Sequence, residues 1–155
     1  MNKLHIPPLD EQAAKTALEH QKILAKPPLA LGKLEPVAIQ IAAMTGNPAP
    51  RLKDKAVVLF AADHHIADHG LSLTSTDVTY IQTRNFLQGG GTINAFTRNA
   101  GARLSVVDVG VNYDFGDLPG LVKRKVMHGA NDFSRGPAMT REQALECLQV
   151  GIDMA

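Results

Sequence analysis

The sequence predicts an α/β protein built on a parallel sheet, part of which lies in this chain. The apolar run 56–62 is followed directly by Asp63. The largely apolar run 104–109 has an acid, Asp108, next to its last residue. Runs of this length are typical of strands buried on both faces of a sheet. Helical patterns separate the strands, and this strand–helix–strand spacing indicates right-handed parallel connections.

The chain divides by pattern into a helical N-terminal part, residues 1–50, and the first half of a parallel α/β domain, residues 51–155. Asp10 can cap a helix that runs to about Lys26, where prolines follow. A second helix is expected after Gly32. It ends at the breaker cluster that begins with Gly46.

The α/β part is expected to add three helices and one strand. The helices are predicted at about Ser75–Leu87, Thr92–Asn99 and Thr140–Ala155, and the strand at Val122–Met127. Thr140 and Gln143 form a capping-box pattern for the last helix, whose buried stripe is predicted as Ala144, Leu145, Leu148 and Ile152. Three strands are fewer than the usual ~5–6 of a sheet, so the α/β domain is expected to be truncated.

Composition excludes several classes of function. With 155 residues, 45% hydrophobic, 20% charged and a net charge of +1, the chain suits a globular domain and gives no sign of a nucleic-acid or membrane partner. Cys147 is the single cysteine, which rules out an internal disulfide. The N-terminal residues lack the apolar core of a secretory signal, so a cytoplasmic location is expected.

A cluster of possible metal ligands follows the first strand: Asp63, His64, His65, Asp68 and His69. Asp-His-His after an apolar strand resembles a motif of the manganese-binding DHH phosphoesterases. A metal-dependent phosphoesterase using Asp63, His64 and Asp108 is therefore one hypothesis. Such enzymes need further acidic motifs, and no acid before Asp63 follows a strand. A hydrogen-bonded polar loop without a metal is the favoured interpretation.

Three other segments could contact a ligand. The run Gly89-Gly90-Gly91 before a helix suits either a tight helix–helix turn or an anion site. Thr74 and Gln82, eight residues apart, could present neutral hydrogen-bonding groups to one pocket. A loop after the third strand carries further polar side chains: Asn131, Asp132, Ser134 and Arg135.

Several segments match one family in order. They are Pro27-Pro28-Leu29-Ala30-Leu31-Gly32-Lys33-Leu34-Glu35, Val57–His64, Val78-Thr79 with Gln82, the glycine run, Val107–Gly110 and Gly136–Thr140. Together they resemble the N-terminal half of the nicotinate-nucleotide:dimethylbenzimidazole phosphoribosyltransferases. Three positions depart from the family motifs. His65 replaces the glycine of A-D-H-G, and Leu29-Ala30 replace the Gly-Ser of P-P-G-S-L-G-x-L-E.

The resemblance implies transfer of phosphoribose from nicotinate mononucleotide to 5,6-dimethylbenzimidazole, which gives α-ribazole phosphate for the lower ligand of cobalamin. It implies a Rossmann-like three-layer fold with a small helical part, a homodimer, and chemistry without a cofactor or metal. It assigns base binding to Thr74 and Gln82. Asp63 and Gly89, Gly90 and Gly91 are expected to shape the wall of the same pocket.

The resemblance places no catalytic residue in these 155 residues. The family's general base is a glutamate late in the chain, and its phosphate loop, of G-E-M-G-x-G-N-T-T type, follows the last helix seen here. The isolated chain is therefore expected to bind base weakly without turnover. The alternative is a non-catalytic half-length protein that binds an aromatic base or a partner chain.

Overall fold

The computed structural model describes residues 5–155, and its strands form one parallel sheet in the order β1-β2-β3. The strands are β1 (Lys55–Ala62), β2 (Ala102–Gly110) and β3 (Leu121–Lys123). Both neighbouring pairs are parallel. The predicted α/β class with a parallel sheet is confirmed.

The described residues fall into two units, 5–53 and Asp54–Ala155. In the first unit, α1 (Glu11–Ile23) and α2 (Leu34–Thr45) pack on each other. The Asp10 carboxylate caps α1 by accepting the Ala13 N–H at 2.8 Å, as its sequence position predicts. α1 ends three residues before the predicted Lys26, because the chain turns extended at Leu24 ahead of two prolines.

The Pro-rich segment before α2 makes a tight turn. The Ala30 N–H donates to the Pro27 carbonyl at 3.2 Å, so Pro28 and Leu29 occupy the two central positions. Leu29 has φ +60°, and it is the only non-glycine residue with positive φ among residues 5–155. A left-handed residue at this position of a turn favours glycine. Leucine therefore holds a left-handed backbone conformation here at a cost in strain.

Leu29→Gly is expected to raise the free energy of unfolding by about 0.5–1 kcal/mol. The left-handed conformation costs an L-residue about 1–2 kcal/mol, and the greater freedom of glycine in the unfolded chain offsets part of the gain. The Leu29 side chain is 75% exposed, so little burial is lost. Urea unfolding of Leu29→Gly and of the control Leu29→Ala, which keeps Cβ, would measure this. Equal stability of the two variants would show that the turn carries no strain.

Helices flank the sheet in the second unit. α3 (Val78–Leu87) and α4 (Thr92–Ala100) pack against β1 and β2. The core on this side joins Ala61, Val106 and Leu121 of the strands to the half-buried Phe86 and Leu87 of α3. α5 (Arg141–Met154) begins with the predicted capping box, in which Thr140 Oγ1 accepts the Gln143 N–H at 3.2 Å.

Two strand predictions were wrong in detail. β1 is not buried on both faces, because Phe60 is 46% exposed. The third strand ends at Lys123 and does not reach Met127. The segment beyond it stays beside β2 through single bonds, such as Val126 N–H to the Val109 carbonyl at 3.0 Å.

The helix predictions also needed correction. α3 begins at Val78 and not near Ser75, so Thr74 lies in the loop before the helix. The predicted buried stripe of α5 is wrong for Leu145 and Leu148, which are 39% and 56% exposed. Val150 is the buried residue of α5 instead. Leu148 lines an apolar cavity between α5 and the sheet.

Candidate substrate-binding site

Asp63 links the carboxyl ends of the strands. Its N–H donates to the Gly110 carbonyl at 3.0 Å, and its own carbonyl accepts the Ala130 N–H at 2.8 Å. Its side chain is nearly buried, and Oδ2 accepts the Asn112 N–H at 2.7 Å. One residue therefore connects the end of β1 with the loops that follow β2 and β3.

Asp108, the second strand-end acid, is fully engaged within the protein. Its Oδ2 lies 2.9 Å from Lys125 Nζ, and its Oδ1 accepts the Val111 N–H at 2.9 Å. The same ammonium group also donates to the carbonyls of Val111 and Tyr113. Both carboxylate oxygens therefore have partners that close the loop after β2, which is a structural role.

A small polar cavity of about 150 Å³ lies beside Asp63. Half of its ten lining residues carry a hydroxyl group, namely Ser72, Thr74, Ser75, Thr76 and Thr79. Thr74 is exposed, its Oγ1 lies 3.1 Å from the Ser72 hydroxyl, and its N–H donates to that hydroxyl at 3.2 Å. The structure thus brings Thr74, one of the two residues expected to bind the base, to the same cavity as Asp63, which was expected to shape the pocket wall.

Gln82 lines a different cavity, of about 570 Å³, next to the turn between α3 and α4. Gly90 and Gly91 share this cavity, and the Gln82 Oε1 accepts a bond from Asn85 at 3.1 Å. The spacing of Thr74 and Gln82 therefore does not bring their side chains to one cavity in the described chain. Their expected contacts with the base stay predictions.

The glycine run forms a tight helix–helix turn. The N–H groups of Gly89 and Gly90 donate to the carbonyls of Phe86 and Asn85, and that of Gly91 donates to Asn94 Oδ1 at 3.0 Å. A Cβ atom at Gly91 would lie 2.5 Å from the Phe86 ring, so the helices approach too closely for a side chain there. Because all three amides are engaged, the turn interpretation is favoured over an anion site.

An apolar cavity of about 320 Å³ lies between α5 and the face of the sheet that carries Phe60. Met127, Met139, Cys147 and Leu148 contribute to its lining. It adjoins the polar cavity, because Ala62 and His64 line both. The sequence pattern did not predict this cavity, and its one signal was the alternation of Leu59 and Phe60 across the two faces of β1.

Cys147 behaves as a packing residue. Burial is the main cause that raises the pKa of its thiol above the usual value, and the nearby Glu146 carboxylate adds to the effect. A raised pKa keeps the side chain as an uncharged thiol near neutral pH. This fits the lining of an apolar cavity.

Two of the three histidines after β1, His65 and His69, contact carboxylates of the loops. His65 Nδ1 lies 3.0 Å from Asp68, and His69 Nε2 lies 2.7 Å from Asp132. The Ser134 hydroxyl, followed by His69, lowers the pKa of Asp132 to about 2. Among residues 5–155, no group of three or more histidine, cysteine or acidic side chains is arranged to hold a metal ion. The phosphoesterase hypothesis therefore finds no ligand set in this part of the chain.

The polar loop after β3 uses most of its side chains internally. Asp132 accepts the Ser134 hydroxyl at 2.6 Å, and Arg135 Nε lies 3.1 Å from the same carboxylate. These three residues were expected to be able to reach a ligand together with Asn131. In the structure they shape their own loop and bind it to His69.

The amino-acid sequence of this chain matches a known protein family along almost its whole length. A sequence profile described as phosphoribosyltransferase matches residues 6–155. The chain belongs to this phosphoribosyltransferase family. The family expected from the sequence motifs is confirmed.

Relatives of this phosphoribosyltransferase chain carry a more specific name. Proteins named nicotinate-nucleotide–dimethylbenzimidazole phosphoribosyltransferase from Geobacter sulfurreducens and Chloroflexus aggregans are 47% and 46% identical over 148 and 151 residues. These matches cover 96% and 97% of this chain but 42% and 43% of the relatives. The chain thus spans less than half the length of these phosphoribosyltransferases.

A solved structure supports the fold of this family member. The crystal structure of CobT from Thermus thermophilus is 42% identical, with a TM-score of 0.87, over 92% of this chain and 43% of that one. The phosphoribosyltransferase chain therefore shares its backbone arrangement with a known family structure. No described helix of the chain is long and apolar enough to span a membrane.

Proposed function

We propose that this chain is the base-recognising part of a phosphoribosyltransferase that moves phosphoribose from nicotinate mononucleotide to 5,6-dimethylbenzimidazole. The product would be α-ribazole phosphate, used for the lower ligand of cobalamin. One observation carries the proposal: a polar and an apolar cavity adjoin at Ala62 and His64, beside the strand-end residue Asp63. Ligands of open parallel sheets bind beyond the carboxyl ends of the strands.

The two cavities complement the two halves of the base. Dimethylbenzimidazole has an apolar dimethylated ring fused to an imidazole that carries one N–H group and one unprotonated nitrogen. The apolar cavity, with Phe60 and Met139 in its lining, suits the dimethylated ring. The hydroxyl-lined cavity suits the imidazole, because a hydroxyl can both donate and accept a hydrogen bond.

Each predicted residue has a proposed part in this arrangement. The Thr74 hydroxyl bonds a nitrogen of the base from the loop before α3. Asp63 shapes the wall by holding the Asn112 loop through its 2.7 Å bond. Gln82 and the turn formed by Gly89, Gly90 and Gly91 lie at the second cavity, beyond the core side of β1, and support the α3 side of the site.

The chemistry itself is assigned to groups outside residues 1–155. The family resemblance places the general base and the phosphate loop there, so the chain alone is proposed to bind the base without transferring phosphoribose. Nitrogen attack at C1′ needs the base held in line with the ribose, and that orientation is the contribution of this part. A homodimer, which the resemblance implies, and a cytoplasmic location, which the N-terminal sequence favours, are also proposed.

Thr74→Val is expected to weaken binding of 5,6-dimethylbenzimidazole to the chain by about 2–10-fold. Valine keeps the shape of threonine but cannot form the hydrogen bond, which is worth about 0.5–1.5 kcal/mol. The measurement is an NMR titration of the base into the parent and variant chains. Gln82→Ala is the comparison from the other cavity. If Gln82→Ala weakened binding and Thr74→Val did not, the base would lie beside the glycine turn and the proposed site would be wrong.

A further inference from the structure

Both ring nitrogens of His65 face hydrogen-bond acceptors. Nδ1 lies 3.0 Å from the Asp68 carboxylate, and Nε2 lies 3.2 Å from the backbone carbonyl of His128. A neutral imidazole has one N–H group and can therefore make only one of these bonds as a donor. The charged imidazolium donates both. The geometry around His65 is thus built for the protonated ring.

The charges around this ring also favour its protonated form. The bond to Asp68 is the largest cause that raises the pKa of His65, the His128 carbonyl is the next, and the charges of Asp68 and Asp63 add to them, whereas burial lowers it. Asp68 belongs to the same short turn, and Asp63 lies at the end of β1. In the loop after β3, the Asp132 carboxylate is already bound by His69 and Arg135.

The opposite loop leaves room for this ring. Gly129 has φ +74°, and a Cβ atom there would lie 3.0 Å from His65 Nε2. The backbones of the two loops are also joined, because the His65 N–H donates to the Ala130 carbonyl at 2.9 Å. His65 therefore lies at the junction between the turn after β1 and the loop after β3. The family motif A-D-H-G has glycine where this chain has His65. A glycine there could not form the two bonds that the His65 ring makes with Asp68 and His128.

We propose that His65 is a positioning residue that acts as an imidazolium and ties the turn after β1 to the loop after β3. It thereby fixes Asp63 and the adjoining His64, which line the polar cavity. Any effect of this tie on base affinity rests on the proposed function. The protonation state of the ring and its effect on stability do not.

The sign of the pH dependence follows from the raised pKa. A histidine whose pKa is higher in the folded than in the unfolded chain contributes its full stabilisation below the unfolded value, about 6.5. That contribution is lost as the pH rises through the folded value. The tie is therefore expected to be present in mildly acidic solution and to be released in alkaline solution.

The test is a nitrogen-15 NMR titration of the histidine rings of the folded chain. At about pH 6.5, the unperturbed value, His65 is expected to be mostly protonated on both nitrogens, with a midpoint above that pH. A ring that is mostly neutral there, with a single N–H, would overturn the proposal. This result is independent of whether the chain binds a benzimidazole.

A matched pair of variants separates the tie from a general effect of removing a histidine. His65→Gln is expected to lower the urea midpoint more at about pH 5.5 than at about pH 8.5, because glutamine cannot supply the charged donor pair. His128→Gln is the control, since the His128 ring makes no hydrogen bond to residues 5–155 and its backbone carbonyl is retained. Equal pH dependence in the two variants would overturn the proposal. A failure of base binding alone would count against the proposed function and leave this inference standing.

Discussion

Lys125→Met is expected to lower the free energy of unfolding of the α/β unit by about 3 kcal/mol. The substitution leaves the Asp108 carboxylate, which is 3% exposed, without its cation. It also removes the donor to the carbonyls of Val111 and Tyr113. The Tyr113 ring stacks on Tyr80 of α3 with centroids 4.4 Å apart, so loosening this loop also weakens its contact with the helix.

Lys123, two residues earlier at the end of β3, offers a control. Lys123 pairs with Asp117 at 3.3 Å, but both side chains are exposed, and such pairs contribute about 0–1 kcal/mol. Lys123→Met removes the same charge at little cost. Urea unfolding followed by circular dichroism would compare the two variants. If they lost similar amounts of stability, the Asp108–Lys125 pair would have no special structural role.

Local signals predicted the parts of the fold that depend on neighbouring residues. Asp10 caps α1, and Thr140 with Gln143 caps α5, because these bonds join residues only three positions apart. Gly101 ends α4 with φ +60°, as a helix stop before a strand predicts. Parallel pairing of β1 with β2 followed from the helical connection between them.

Contacts between distant residues limited the remaining predictions. Lys125 looked like part of a strand, but it lies beyond the end of β3, and its side chain bonds carbonyls twelve and fourteen residues earlier. β1 looked fully buried because its apolar run does not reveal which neighbours it has. Phe60 faces a side of the sheet that residues 5–155 leave partly open.

In the candidate site, too, the sequence predicted local features but not contacts between distant residues. Asp63 was placed correctly at the end of β1, since a polar residue after an apolar run marks the edge of a sheet. The spacing of Thr74 and Gln82 suggested one pocket on the assumption that the helix begins near Ser75. It begins at Val78. The contact of His65 with the His128 carbonyl spans 63 residues, and no local pattern signals it.

The second large effect is expected when this chain replaces its counterpart in a complete enzyme. The Geobacter sulfurreducens relative is 47% identical over 148 residues, a match that covers 42% of its length. Its remaining residues would supply the general base and the phosphate loop that the family resemblance places there. A chimera that joins this chain to that remainder is therefore expected to be active, although the chain alone is not.

The size of the effect can be bounded. Substitutions across the junction of the two parts are expected to cost less than about 2.7 kcal/mol of transition-state stabilisation, which is a rate loss of less than about 100-fold. Thr74→Val in the chimera is expected to reduce turnover further at low base concentration. The isolated chain, assayed beside the chimera, is expected to form no product.

Formation of α-ribazole phosphate from nicotinate mononucleotide and 5,6-dimethylbenzimidazole by this chimera would show whether this chain is the base-recognising part of such an enzyme. Product is expected from the chimera and none from the chain alone. A folded chimera that forms no product, under conditions in which the Geobacter sulfurreducens parent does, would contradict this expectation. Product formed by the isolated chain would also contradict it, because the reacting groups would then lie within residues 1–155.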